Sequence, residues 1–211
     1  MAEEAQIRQL KEKMELEREK LLSTLEGLSD EQATAPQGDD WSAKQQMSHL
    51  CEMETTYRAW VEKALAEDGA SLDGVGGSAV AIPLERAQLH PVPEHIAEMR
   101  RQRQKTLAVM ERMRPEDYDR TATSSAFGTL TAMQWLRSYY RHDRMHYDQV
   151  RGEEPAYKPK FRGGKEPDQR RPAVSGGAAQ AGARLPRPAH PPDRPRGRRA
   201  AGRLPCTRRR Q

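Results

Sequence analysis

Apolar residues recur at helical spacing in four stretches of roughly 20 residues, separated by polar segments that contain Gly or Pro. In the first stretch Ile7, Leu10, Met14, Leu21, Leu25 and Leu28 form one stripe, and the helix ends near Gly27. Ser29 to Asp40, with Pro36 and Gly38, reads as a polar connection. Ser42 followed by Gln45 is a capping box that starts the second helix, with Trp41 placed to pack back as a hydrophobic staple. Its inward stripe is expected to carry Gln46, His49, Met53, Thr56, Tyr57 and Trp60. Glu67 to Pro93 is too rich in Gly, Ala, Ser and Pro for a long element and reads as a flap or a crossover. The third helix runs from about Pro93 through Ile96, Met99, Leu107 and Met110 to Met113, its stripe crowded by Arg100 and Arg103. After Pro115 and a second connection, Tyr118 to Gly128, Thr131 and Gln134 form another capping box. The fourth helix then carries Trp135, Tyr139, His142 and His146 on one face to about Arg151. Four such helices bury their stripes together as an all-α four-helix bundle.

Composition sets how such a core is built. Aromatic residues are 5% of the chain and its mean hydropathy is −1.00, so the interior must come from Leu, Met, Ile and Ala on amphipathic helices. Charge divides the chain: residues 1 to 151 hold 20 Lys and Arg against 26 Asp and Glu, whereas 152 to 211 hold 16 against 5. Two domains are therefore expected, a folded bundle over 1–155 and a disordered Arg/Pro/Gly/Ala-rich tail over 156–211, which contains Arg194-Pro-Arg-Gly-Arg-Arg199. The tail reads as an unselected extension, for example the product of a shifted reading frame; its functional alternative is a tether for nucleic acid or another anionic surface. The acidic balance of the bundle argues against nucleic-acid binding by the folded part. Cys51 and Cys206 suggest no disulfide framework, and no run is long and apolar enough to span a membrane, which points to a cytoplasmic protein without a signal peptide.

Chemistry concentrates in three histidines. His142 and His146 are four apart, so both imidazoles share one helix face, about 5–6 Å apart at Cβ. His49 lies seven positions past Ser42, and His142 and His146 lie nine and five positions before Arg151. Antiparallel packing of the second and fourth helices brings all three level; parallel packing offsets them by about 9 Å at a rise of 1.5 Å per residue. The antiparallel arrangement gives an up-down-down-up bundle, whose parallel step requires a long crossover. Three neutral imidazoles with a fourth position open suit a catalytic divalent metal.

Trp41-Ser-Ala-Lys-Gln-Gln-Met-Ser-His49-Leu50, Gly128-Thr-Leu-Thr131 and His142-Asp-x-x-His146-x-x-Gln149 together resemble the DinB/YfiT-like superfamily of four-helix-bundle metalloproteins, over about residues 5 to 152. The resemblance implies a metal centre on His49, His142 and His146, a divalent transition ion such as zinc or nickel, and often a homodimer. Gln45 departs from the glutamate that many relatives carry four residues before the histidine. Family members include transferases that use bacillithiol or other low-molecular-weight thiols, mycothiol-dependent isomerases, and proteins described as metal-dependent hydrolases.

The expected function is a metal-dependent enzyme activating either a small thiol, as an S-transferase, or water, as a hydrolase, on a small-molecule substrate. The alternative is a non-catalytic metal-binding or interaction bundle. Among neighbouring residues, Tyr139 is a candidate pocket residue with core packing as its alternative, and Asp143 is read as a solvent, helix-pairing or ligand-supporting group. Trp60 and Trp135 are assigned to the core. Cys51 is placed off the metal-facing side, and His90 and His95 are assigned to the surface, with gating of a pocket as their alternative.

Overall fold

The structure is a computed structural model, and it describes residues 2–36, 41–159 and 168–170. Its long helices are α1 (Glu4–Glu26), α3 (Ala43–Ala66), α4 (Val92–Glu111) and α5 (Ala132–Val150). The short α2 (Asp30–Thr34) lies in the segment expected to be an irregular connection, where Ser29 and Gln32 form a capping box. The two boxes legible in the sequence form as expected. Gln45 N donates to Ser42 Oγ (3.3 Å) and Gln134 N to Thr131 Oγ1 (3.2 Å), and each glutamine Oε1 accepts a hydrogen bond from the backbone N–H of its cap residue.

Pairings between the helices define the topology. Lys13 lies over the Tyr140 ring, Glu17 approaches Arg144 and Arg18 binds Asp143, so α1 and α5 run parallel. His49 meets His142 and His146, Tyr57 meets Tyr139 and Trp60 meets Trp135, so α3 and α5 are antiparallel. Glu54 binds Arg103, and Arg58 binds Gln102 and Thr106, making α3 parallel to α4. Arg103 reaches Met14 O and Arg18 reaches Met99 O, making α4 antiparallel to α1. The bundle is therefore up-down-down-up, as the histidine levels require.

The parallel step from α3 to α4 uses the expected crossover, which is held down more firmly than its composition suggests. Trp60 Nε1 donates to Val75 O (2.9 Å), Ala81 N to Glu98 Oε1 (3.2 Å) and Leu84 N to Glu52 Oε1 (2.8 Å). Gly77 lies so close to α3 that a Cβ there would sit 2.2 Å from Thr55 Oγ1 and 2.5 Å from Thr56 N. Within this crossover, β1 (Ala70–Ser71) pairs parallel with β2 (Thr121–Ser124), and a 3-10 turn spans Leu84–Leu89.

The second connection is also more ordered than expected. After a 3-10 turn at Pro115–Asp119, β2 and β3 (Gly128–Thr131) form an antiparallel hairpin, and its turn lays Phe127 against Trp60 and Trp135. Ala122, Ser124 and Leu130 point inward from these strands. Past α5, β4 (Tyr157–Pro159) pairs with β5 (Asp168–Arg170). Ala156 N donates to the buried Asp148 carboxylate (2.8 Å), tying the residues before β4 back to α5. The rest of the tail expected from residue 156 lies outside the described residues. Among the described residues no helix is long and apolar enough to cross a membrane.

The apolar core falls into two clusters. One gathers Leu10, Met14, Tyr57, Val61, Met110, Trp135 and Tyr139; the other gathers Leu21, Leu22, Leu25, Met47, Leu50, Cys51, Ile96 and Met99. The deepest face of α3 is Met47, Leu50, Cys51, Glu54, Tyr57, Arg58 and Val61, whereas His49, Met53, Thr56 and Trp60 from the expected stripe are only half-buried. The crossover packs on Glu52, Thr55, Thr56 and Trp60, while Leu50, Cys51, Glu54 and Arg58, which the expected stripe leaves out, are buried against α1 and α4.

Between the two clusters lies a charged layer. Arg18, Glu54, Arg103 and Asp143, one from each long helix, are 2%, 2%, 5% and 0% exposed. They close a ring of alternating charge. Arg18 Nη2 donates to Glu54 Oε2 (2.6 Å) and Asp143 Oδ1 (2.9 Å), and Arg103 donates through Nε to Glu54 Oε1 (2.9 Å) and through Nη2 to Asp143 Oδ2 (2.8 Å). Arg103, which crowds the third stripe in the sequence, is thus part of the interior, while Arg100 remains at the surface with Glu26.

Candidate metal centre

The three predicted histidines meet where α3 and α5 face each other. His49 Nε2 lies 3.2 Å from His142 Nε2, and His146 Nε2 lies 3.1 Å from His142 Nε2. One ring nitrogen from each lies within 4.8 Å of the others, with His142 and His146 buried and His49 half-buried. A four-residue spacing on α5 supplies two of the nitrogens, and the antiparallel α3 supplies the third from the same level.

Gln46 orders this set. His146 Nδ1 donates to Gln46 Oε1 (3.1 Å), and Gln46 Nε2 donates to Trp41 O (3.1 Å). The first bond places the proton of neutral His146 on Nδ1 and leaves the Nε2 lone pair facing the other rings. Gln45, the position at which the family resemblance places a supporting carboxylate, caps α3 instead. The support comes from its neighbour. Trp41 packs its ring 4.8 Å from that of His49, and Tyr57 lies 6.2 Å from that of His142.

Burial keeps the imidazoles neutral. Desolvation and the adjacent His142 bring the His49 pKa down to about 3, and desolvation with the Arg18 charge brings His142 to about 3. Desolvation and the two neighbouring rings hold His146 well below the usual histidine range. Neutral imidazole is the metal-binding form.

The donor set fits a divalent ion. Metal–nitrogen bonds of about 2.0–2.1 Å at tetrahedral angles separate ligand nitrogens by about 3.3 Å. Two of the three separations, 3.1 and 3.2 Å, are close to that edge, and all three nitrogens lie within 4.8 Å of one another. Converging lone pairs repel one another, and a cation satisfies all of them at once.

Other candidates are placed clearly. Tyr139 is buried in the core, its hydroxyl donating to Glu54 O (3.3 Å) and its pKa pushed up, chiefly by burial and by the Glu54 charge. Asp143 is not a solvent group; it belongs to the charged ring. Cys51 is buried in the neighbouring apolar cluster, and burial pushes its thiol up to about 12. His95, assigned from the sequence to the surface, is buried with Nε2 bonded to Ala87 O (2.9 Å), because the 3-10 turn folds over the start of α4. His90 is partly exposed and pairs with Glu94. Trp135 is fully buried, and Trp60 packs against the same cluster.

The family model of the DinB superfamily matches residues 13–150. This chain belongs to the DinB superfamily. A curated Bacillus subtilis (strain 168) protein, the uncharacterized YuaE, is 23% identical over 141 residues, 60% of this chain and 86% of YuaE. Among solved structures, Bacillus subtilis YfiT superposes with a TM-score of 0.60 at 14% identity, covering 72% of this chain and 87% of its own. YfiT is described as a probable metal-dependent hydrolase with an unusual four-helix bundle topology. TT2238, a four-helix bundle protein, gives a TM-score of 0.52 at 20% identity, covering 70% of this chain and 99% of its own. At these identities the two structures share the four-helix-bundle fold with this chain, and the chemistry must be argued from its own residues.

Proposed function

We propose that this DinB-superfamily protein is a metal-dependent enzyme in which His49, His142 and His146 hold a divalent transition ion that activates a small nucleophile. The observation that carries this is the convergence of three neutral imidazoles on one point through Nε2. Three protein ligands leave a coordination position for a substrate. A divalent ion held there acts as a Lewis acid, lowering the pKa of a thiol or a water at the remaining position.

The nucleophile favoured here is a low-molecular-weight thiol, making the protein an S-transferase. The carboxylates near the ligands in sequence are engaged elsewhere: Glu52 Oε1 accepts from Leu84 N, and Glu54 and Asp143 are held in the charged ring. A thiol, with an ordinary pKa near 8.5, needs only modest help to lose its proton to solvent, whereas hydrolysis gains much from a positioned general base. Hydrolysis is the second reading, favoured by the description of YfiT. In either case Gln46 keeps the His146 proton on Nδ1, and Trp41 shields His49 from bulk water.

A cytoplasmic setting and a homodimer belong to the same proposal. Sedimentation of the intact chain at twice the monomer mass supports the dimer, and a monomer at all concentrations removes it. The reaction is tested with the metal-loaded protein, a panel of small thiols and a chromogenic electrophile. A metal-dependent rate with one thiol, lost in His142→Ala, is expected. Metal-dependent cleavage of ester or amide substrates without thiol dependence would move the assignment to hydrolase, and no turnover of either kind with metal bound would leave a structural centre.

A further inference from the structure

Each long helix puts one charged side chain into the interior at the same level, and the four close a ring in which every charge touches two of opposite sign. The ring also grips backbone. Arg18 Nη1 on α1 donates to Met99 O on α4 (2.9 Å), and Arg103 Nη1 on α4 donates to Met14 O on α1 (2.5 Å). Thr106 Oγ1 adds a bond to Glu54 Oε1 (3.0 Å).

Stability alone is a poor reason for such a layer. Desolvating four charges offsets most of their attraction, and apolar residues of similar volume commonly serve a core as well or better. What the ring supplies is direction. The apolar residues flanking it include Met14, Met47, Met99 and Met110, whose flexible side chains fill space without fixing how one helix stands along another. A metal centre shared between two helices cannot tolerate that freedom. Sliding α5 by one residue along α3 moves its side chains by about 1.5 Å and turns them by about 100°, whereas metal–ligand distances hold to about 0.2 Å. Asp143 directly follows His142, and Glu54 lies on α3 five residues past His49, so each helix that carries ligands also carries one acceptor of the ring.

We propose that Arg18, Glu54, Arg103 and Asp143 are positioning residues that fix the register of α3 and α5 so that His49, His142 and His146 converge, and that the ring is not required for the fold itself. This rests on the metal-centre reading above. The ring reaches the ligands through the helices that carry both and through the Arg18 and Glu54 charges, which act in opposite directions on His142.

The test replaces charge by apolar volume in the full-length chain, as Glu54→Leu with Arg103→Met, and as those two with Arg18→Met and Asp143→Leu. Both variants are charge-balanced. Helical circular dichroism and a cooperative melt near that of wild type are expected, with cobalt(II) affinity lowered about 10–100-fold, the range typical of lost outer-shell support, and an altered cobalt absorption envelope. Wild-type affinity and spectrum in either folded variant would overturn the proposal, as would failure of the two-residue variant to fold. If the wild-type chain itself binds no cobalt through His49, the metal reading fails separately. The ring is then judged on the metal-free protein, by long-range proton–nitrogen spectra of the imidazoles. One set of signals in wild type and several in the variants supports register control, and one identical set in all three overturns it.

Discussion

Gln46 Oε1 accepts a hydrogen bond from His146 Nδ1 at 3.1 Å, across the α3–α5 interface. The contact is a finding about protonation as much as packing, because it leaves Nε2 of His146 as an acceptor directed at the other two rings.

Removing that contact should weaken the site without dismantling it. Gln46→Ala is expected to lower metal affinity about 10–100-fold, and Gln46→Glu, which keeps an acceptor for Nδ1, should restore most of it. Competition against a chromophoric chelator measures both. Equal affinity in wild type and Gln46→Ala would show that the bond does not orient the ring.

Breaking the charged ring on one side only should be far more damaging than removing a balanced pair. Glu54→Gln leaves two buried guanidinium groups sharing one carboxylate, and loss of one partner from a buried ion pair costs about 3–5 kcal/mol. Urea unfolding of Glu54→Gln beside the balanced Glu54→Leu/Arg103→Met variant measures this. Similar midpoints for the two would contradict the account.

The same carboxylate carries a pH signature. Burial alone would raise the Glu54 pKa, but Arg103 and Arg18 outweigh it and hold it below the ordinary value of 4.5. The unfolded chain therefore takes up this proton first as pH falls, so the contribution is fully present above 4.5 and is lost as pH drops through the lower folded value. His49 and His142, depressed to about 3, act in the same direction from 6.5 downward, so metal-free wild type should lose stability steadily in acid. The Glu54→Leu/Arg103→Met variant should show a shallower fall below pH 4.5. An identical slope would mean that Glu54 is not a linked group.

Gly77 predicts a packing penalty. A methyl group there meets Thr55 Oγ1 at 2.2 Å and the backbone at Thr55 and Thr56 within 2.6 Å, so the crossover must lift from α3. Gly77→Ala should cost about 1–3 kcal/mol, the usual range for overpacking. An unchanged thermal midpoint would show that the crossover yields freely.

Much of this was legible in the sequence, for physical reasons. Periodic stripes and the capping residues Ser42 and Thr131 encode helices locally, and the His49, His142 and His146 levels encode their relative direction. The hairpin was hidden because Thr-Ala-Thr-Ser and Gly-Thr-Leu-Thr are four-residue strands, too short for alternation to stand out, and β1, which pairs with β2 as Ala70 with Ala122, is distant in sequence. The charged ring was hidden differently. A charged residue on a helix taken alone gives no sign of burial: Arg103 reads as an interruption of its stripe, Asp143 as a solvent, helix-pairing or ligand-supporting group, and Arg18 and Glu54 do not stand out. A sharper signal was present in spacing, since Arg18 lies four after Met14 and Arg103 four after Met99, on faces otherwise apolar. Only the closed set of four makes their burial affordable.

Metal content of the intact purified chain tests the central claim most directly, compared with His49→Ala, His142→Ala and His146→Ala by elemental analysis after removal of loosely bound ions. The account predicts close to one divalent ion per chain in wild type and a sharp loss in each variant with helical content retained. Near-stoichiometric metal that survives all three substitutions, or none in the wild type after reconstitution with zinc or nickel, would contradict it.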